Sequence, residues 1–107
     1  MNLVALVGEL VDKPILRESA MGNRYAIMNI KVTRPFAGSD GRYESDIFSV
    51  SIWRGIAESM VENAKEGDKV AMKGRIQARS YEGSDGVERR SYDLIAEYVT
   101  IVNAQAK

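Results

Sequence analysis

The chain has no cysteine and no histidine among its 107 residues. The first absence excludes a disulfide framework and a thiolate metal site. The second removes the commonest general base and, together with cysteine, the commonest nucleophile and metal ligands. Catalysis would have to run on Asp, Glu, Lys or Ser, and no paired acid and base stands out. Net charge is lacking too: 15 basic and 15 acidic side chains cancel, so total charge selects no class of partner. No apolar run approaches the roughly 18 residues of a membrane-spanning helix. The opening MNLVALVGELVDKP carries Glu9 and Asp12 where a signal peptide needs an apolar stretch, and no positive charge precedes it. The expectation is a non-enzymatic, cytoplasmic protein without membrane contact, metal or cofactor.

What is present is period-two patterning in a chain long enough for one modest core. Residues 2–11 (NLVALVGELV) read as a strand bent at Gly8. SAMGN (19–23) suits a tight hairpin. In 24–34, Ala26, Met28, Ile30 and Val32 alternate with Tyr25, Ile27, Asn29, Lys31 and Thr33. PFAGSDGRYE (35–44) reads as a loop, and SDIFSVSIW (45–53) as a third strand with Phe48, Val50 and Ile52 inward. The period then changes: Ile56, Ala57, Met60, Val61 and Ala64 predict a helix over 55–67, ended by Gly67. DKVAMKGRIQARSY (68–81) returns to period two, with Val70, Met72, Gly74, Ile76 and Ala78 on one side. After the turn cluster 82–88, residues 89–102 form the last strand. Three strands, one helix and two strands predict an all-β fold: the five-stranded oligonucleotide- and oligosaccharide-binding (OB) barrel, occupying 1–103, with a short disordered remnant at 104–107.

The faces turned away from that core share a chemistry. The third strand offers Trp53, the only tryptophan, beside Ser49 and Ser51; the fourth offers Lys73, Arg75, Arg79 and Tyr81. The loops add Arg34, Phe36, Arg42 and Tyr43, then Arg89 and Arg90. Rings interleaved with cations suit a single-stranded nucleic acid, whose bases stack while Lys and Arg follow the phosphates. Each residue also has a plainer reading. Trp53 closes the core at a strand end, Lys73, Arg75 and Arg79 form a solvated strand face, and Phe36 meets another subunit. The repeated GSDG at 38–41 and 83–86 is turn chemistry: it lacks the Lys and Ser or Thr of a phosphate loop and the carboxylates of a calcium site.

MNLVALVGELVDKPILR, VTRPF, DIFSVSIWRGIAE, EGDKVAMKGRIQARSYE and GVERRSYDLIAEYVTIV, in this order over almost the whole chain, resemble the bacterial and phage single-stranded DNA-binding proteins. The resemblance implies an OB barrel, a homotetramer with a dimer as the alternative, and single-stranded DNA as partner during replication, repair and recombination at the nucleoid. It also implies stacking by Phe36, Trp53 and Tyr81, with Arg34, Arg75 and Arg79 on the backbone beside them. Two departures stand out. Ile47 occupies a position where many members carry an aromatic, and the chain stops at Lys107 without the acidic tail by which members recruit enzymes; no recruitment by that route is expected. A dimeric, primosome-type relative that recruits a helicase loader and an OB domain used only for protein–protein contact remain the alternatives.

Overall fold

Alternation sets the strands. In the computed structural model, which describes residues 1–103, the chain forms β1 (Val4–Leu10), β2 (Arg17–Glu18), β3 (Arg24–Ala37), β4 (Tyr43–Trp53), α1 (Arg54–Asn63), β5 (Lys69–Glu82) and β6 (Glu88–Ile101). The expected remnant at 104–107 lies outside the described residues. β2 is an addition to the expected elements: two residues that pair with the start of β3 across the SAMGN hairpin. The other five strands close on themselves. β1 pairs with β5, β5 with β6, β6 with β4 through one short parallel junction (Val50 opposite Leu94, Ser51 opposite Ile95), β4 with β3, and β3 with the end of β1. This is the expected five-stranded OB barrel, with the helix between the third and fourth barrel strands.

The inward positions are those that the pattern marks. Ala26, Met28 and Ile30 of β3, Val50 and Ile52 of β4, and Val70 and Met72 of β5 are fully or almost fully buried. Ala57 and Met60 of α1 join them where the helix packs against β3 and β4. Gly8 marks the place where β1 passes from β5 to β3: a Cβ there would meet the Lys31 carbonyl and the Ile30 side chain, so only glycine lets the strand turn in this closely.

Three expectations are corrected. Gly67 does not end the helix; α1 stops at Asn63, and the Lys13 ammonium donates to the Val61 and Ala64 carbonyls, at 2.7 and 2.8 Å. That cation satisfies terminal carbonyls that a glycine cap would otherwise have handled, while Gly67 sits in the next turn and donates its N–H to Leu10. Pro35 and Phe36 are not loop: β3 runs through them to Ala37, with a register shift against β4 between Thr33 and Ala37 that accommodates a proline with no N–H to give. Ile76 and Ala78 keep their expected parity but not their burial, Ile76 being 41% exposed. Beyond the barrel rim β5 and β6 continue as a two-stranded ribbon, with no further layer among the described residues to cover it.

The β3–β4 and β5–β6 ribbons end in the two GSDG copies, which fold alike. In each, the first glycine's N–H bonds to the carbonyl four residues on, the Asp carboxylate accepts from the backbone two residues on, and the second glycine has φ of +78°. This is a turn role, and among the described residues no cluster of His, Cys, Asp or Glu could hold a metal.

Candidate nucleic-acid interface

Pairing register assembles the outer face of β3 and β4. Tyr25 lies opposite Trp53, Ile27 opposite Ser51, Asn29 opposite Ser49 and Lys31 opposite Ile47. The first pair stacks, with ring centroids 4.8 Å apart and planes inclined by 27°. Trp53 is nevertheless 37% exposed, because Tyr25 covers one side of the indole only. Further along, the Ser49 hydroxyl donates to Asn29 Oδ1 at 2.7 Å, so this rung carries no free cation or ring. Ile47 is 60% exposed at the next rung, on the face where the parity of β4 puts it.

Trp53 stands between two clefts. One, of about 680 Å3, runs from the β2–β3 hairpin (Glu18 to Ala20) across Tyr25 and Trp53 to Gln77 and Arg79 of β5 and Asp93 and Ile95 of β6. The other, of about 490 Å3, lies past the indole, between Arg54 and Ile56 of α1 and Arg75, Gln77 and Ile95. The β4–β6 junction brings these walls together, so the expected residues Trp53, Arg75 and Arg79 do converge.

The remaining expected residues lie elsewhere. Phe36, 71% exposed, and Arg34 are on the β3–β4 ribbon, with Arg42 at its turn; Tyr81, 50% exposed, and Arg89 face each other in register on the β5–β6 ribbon. The β3–β4 ribbon thus carries Phe36, Arg34 and Arg42, and the β5–β6 ribbon Tyr81 and Arg89, away from the two clefts at Trp53. Lys73 lines neither cleft and sits opposite Ala5 of β1 and Tyr98 of β6, around the barrel from Trp53.

The electrostatics are more balanced than a basic face suggests. Arg34 holds Asp46 through Nε and Nη2 (3.0 and 2.9 Å) and Glu44 through Nη1 (2.7 Å). The hydrogen bond from Arg34 keeps the Asp46 carboxyl below the usual carboxylate range, and the same bond raises the guanidinium's own value. Arg75 pairs with Glu97, Arg79 with Asp93, and Arg89 with Asp85. Among the described residues Arg42, Arg54 and Lys73 have no carboxylate partner within 4 Å.

Two residues join the site that the patterning left out of it. Tyr25 has the right parity in the sequence, but only register shows that it stacks on the tryptophan. Arg54 follows Trp53 directly and begins α1 with φ of +54°, the one left-handed residue other than glycine among those described. A side chain is strained there, and this backbone turn is where Arg54 comes to line the cleft beside the indole. No feature of the sequence marks it.

The comparisons with known proteins agree with this geometry. Residues 1–102 match the family model described as the single-strand binding protein family. Over 105 residues the chain is 37% identical to the single-stranded DNA-binding protein of Oceanobacillus iheyensis, covering 98% of this chain and 65% of that one. It is 38% identical over 99 residues to the Bacillus cereus single-stranded DNA-binding protein, covering 92% and 58%. Against single-stranded DNA-binding protein B of Bacillus subtilis the identity is 33% over 106 residues, covering 99% and 94%. The chain therefore spans less than two thirds of the first two relatives and nearly all of the third. With a closed OB barrel, a stacked tryptophan between two clefts and a family match running from the first residue to the end of the last strand, this chain belongs to the single-strand binding protein family, a family of DNA-binding proteins and not of enzymes.

Proposed function

We propose that the chain binds single-stranded DNA with little sequence preference and protects it during replication, repair and recombination, in the cytoplasm at the nucleoid. The observation that carries this reading is Trp53, stacked on one side by Tyr25 and bordered by clefts with arginines on their far walls. A base inserted beside the indole gains stacking that duplex DNA, with its bases already stacked, cannot supply. Phe36 and Tyr81 stack further bases on the ribbons, and Arg34, Arg42, Arg75, Arg79 and Arg89 meet phosphates. Lys73 serves only a strand that continues around the barrel past β5. The test is a Trp fluorescence titration with oligo(dT) and with a matched duplex. Deep quenching by the single strand alone is expected; quenching by neither, or by both alike, defeats the reading.

A homo-oligomer, and a tetramer in particular, fits the far side of the barrel. There Leu3, Val7 and Tyr98 are each more than half exposed, and β1 from Val4 to Gly8 is paired along one edge only. Exposed apolar side chains beside an open strand edge favour a second copy. Sedimentation equilibrium is expected to give four times the chain mass of 11.9 kDa. Twice that mass selects the primosome-type dimer, and a monomer at high concentration removes the proposal.

The neutralised arginines favour one competing reading, an OB domain for protein contact alone. Oligo(dT) affinity that is indifferent to Trp53→Ala selects it.

A further inference from the structure

Four of the five arginines expected at phosphates, Arg34, Arg75, Arg79 and Arg89, hold carboxylates before any DNA arrives. Asp93 accepts from Arg79 Nε at 2.8 Å and Nη2 at 3.3 Å, and Asp46 accepts from the same two nitrogens of Arg34. Both pairs form between neighbouring strands, at positions set by the ladder: Asp93 lies opposite Gln77, two residues before Arg79, and Asp46 lies opposite Val32, two residues before Arg34. The fork that Arg offers a carboxylate is the fork it offers a phosphate. An aspartate in this place therefore holds the guanidinium in a phosphate-ready orientation and cancels its charge.

We propose that Asp46 and Asp93 are positioning residues that keep Arg34 and Arg79 ordered and charge-masked, and that binding of single-stranded DNA is an exchange in which a phosphodiester replaces each carboxylate on its guanidinium. The proposal rests on the reading that these arginines meet phosphates.

All four side chains are at least 37% exposed, and exposed ion pairs contribute little to stability, so the exchange is accessible at low cost. Its signature lies in salt dependence. An unpaired cation that neutralises a phosphate releases about 0.7 counterion from a single strand. Here each displaced aspartate gathers a cation in return, which offsets that release. Affinity then depends more on stacking and less on salt than the number of arginines on this face implies. The consequence for recognition is direct: phosphates, which every nucleic acid has, are made to count for less than unstacked bases.

The test is oligo(dT) affinity across a salt series for the wild-type chain, Asp93→Asn, Asp93→Glu and Arg79→Ala. Asparagine keeps an oxygen for the guanidinium and drops the charge. Asp93→Asn is expected to raise affinity at low salt by roughly two- to fivefold and to steepen the salt slope by about 0.7. Asp93→Glu, which keeps the mask, is expected to stay near wild type. A fall or no change in affinity for Asp93→Asn, with Arg79→Ala weakening binding, overturns the exchange and leaves DNA binding by Arg79 standing. No effect of either substitution overturns the exchange and the phosphate role of Arg79 together. Asp46→Asn is expected to give a smaller gain on the other ribbon, because Glu44 also holds Arg34 at 2.7 Å, and a thermal melt of each variant separates a changed face from a changed fold.

Discussion

Trp53→Ala is expected to weaken oligo(dT) binding by roughly ten- to hundredfold while the barrel stays folded. Stacking on an aromatic side chain is worth about 1–3 kcal/mol per base, and each 1.4 kcal/mol is a factor of ten in affinity. Trp53 sits toward the top of that range on geometry. It borders both clefts, and Tyr25 already orders its ring, so little side-chain entropy is left to lose when a base stacks. The same placement limits the damage to the fold. The neighbouring inward residue, Ile52, is fully buried, whereas the indole lies on the outer face. What the fold loses is the contact with Tyr25, about 0.5–1.5 kcal/mol for an aromatic pair, or a Tm lower by several degrees. Fluorescence anisotropy of labelled oligo(dT) reads the affinity, since the substitution removes the intrinsic probe, and circular dichroism reads the melt. Unchanged affinity with a collapsed Tm would return Trp53 to the core and end its role as a platform. Phe36→Ala and Tyr81→Ala should cost less, because each ring stands on a ribbon without a stacked neighbour among the described residues.

The serine-lined face that bears the tryptophan was legible in the sequence because parity is a local property. Phe48, Val50 and Ile52 alternate toward the barrel, so Ile47, Ser49, Ser51 and Trp53 had to face out, and they do. Register is not local. Nothing between residues 25 and 53 announces that Tyr25 and Trp53 are directly opposed, since that depends on where the β3–β4 ribbon turns and on the shift around Pro35. The ion pairs were hidden for the same reason. Arg79 and Asp93 are 14 residues apart, and the neutral cancellation visible in composition becomes paired charges only once β5 and β6 align. Ile76 and Ala78 show the converse limit. Their parity is right, but burial requires an opposing layer, and alternation cannot report that two strands have outrun their barrel.

The largest loss of stability is expected from a single methyl group, in Gly74→Ala. Gly74 is buried on β5, between Val4 of β1 and Ala96 of β6, where the β5–β6 register shifts and Glu97 is left over between Ala96 and Tyr98. A Cβ placed there would collide with the Ile95 carbonyl oxygen and lie 2.8 Å from the Ile95 carbonyl carbon and 2.9 Å from Ala96 Cα. All three are backbone atoms, so no rotamer change relieves the clash and β6 itself must move. The segment that moves is the one that pairs Leu94 and Ile95 with Val50 and Ser51 of β4, the short junction that closes the barrel. Overpacking that moves backbone lies at the upper end of the usual range, about 3 kcal/mol, or a Tm lower by roughly 12 °C or more for a domain of this size. Gly55→Ala is the matched comparison. Nothing lies within 4 Å of its Cβ, and in α1 alanine is the better helix former by about 1 kcal/mol, so Tm should rise slightly. A Gly74→Ala chain that melts within a few degrees of wild type would show that β6 yields without opening the junction. Because Ile95 also lines both clefts beside Trp53, whatever Gly74→Ala protein remains folded should bind oligo(dT) less tightly, although no side chain lining those clefts has been altered.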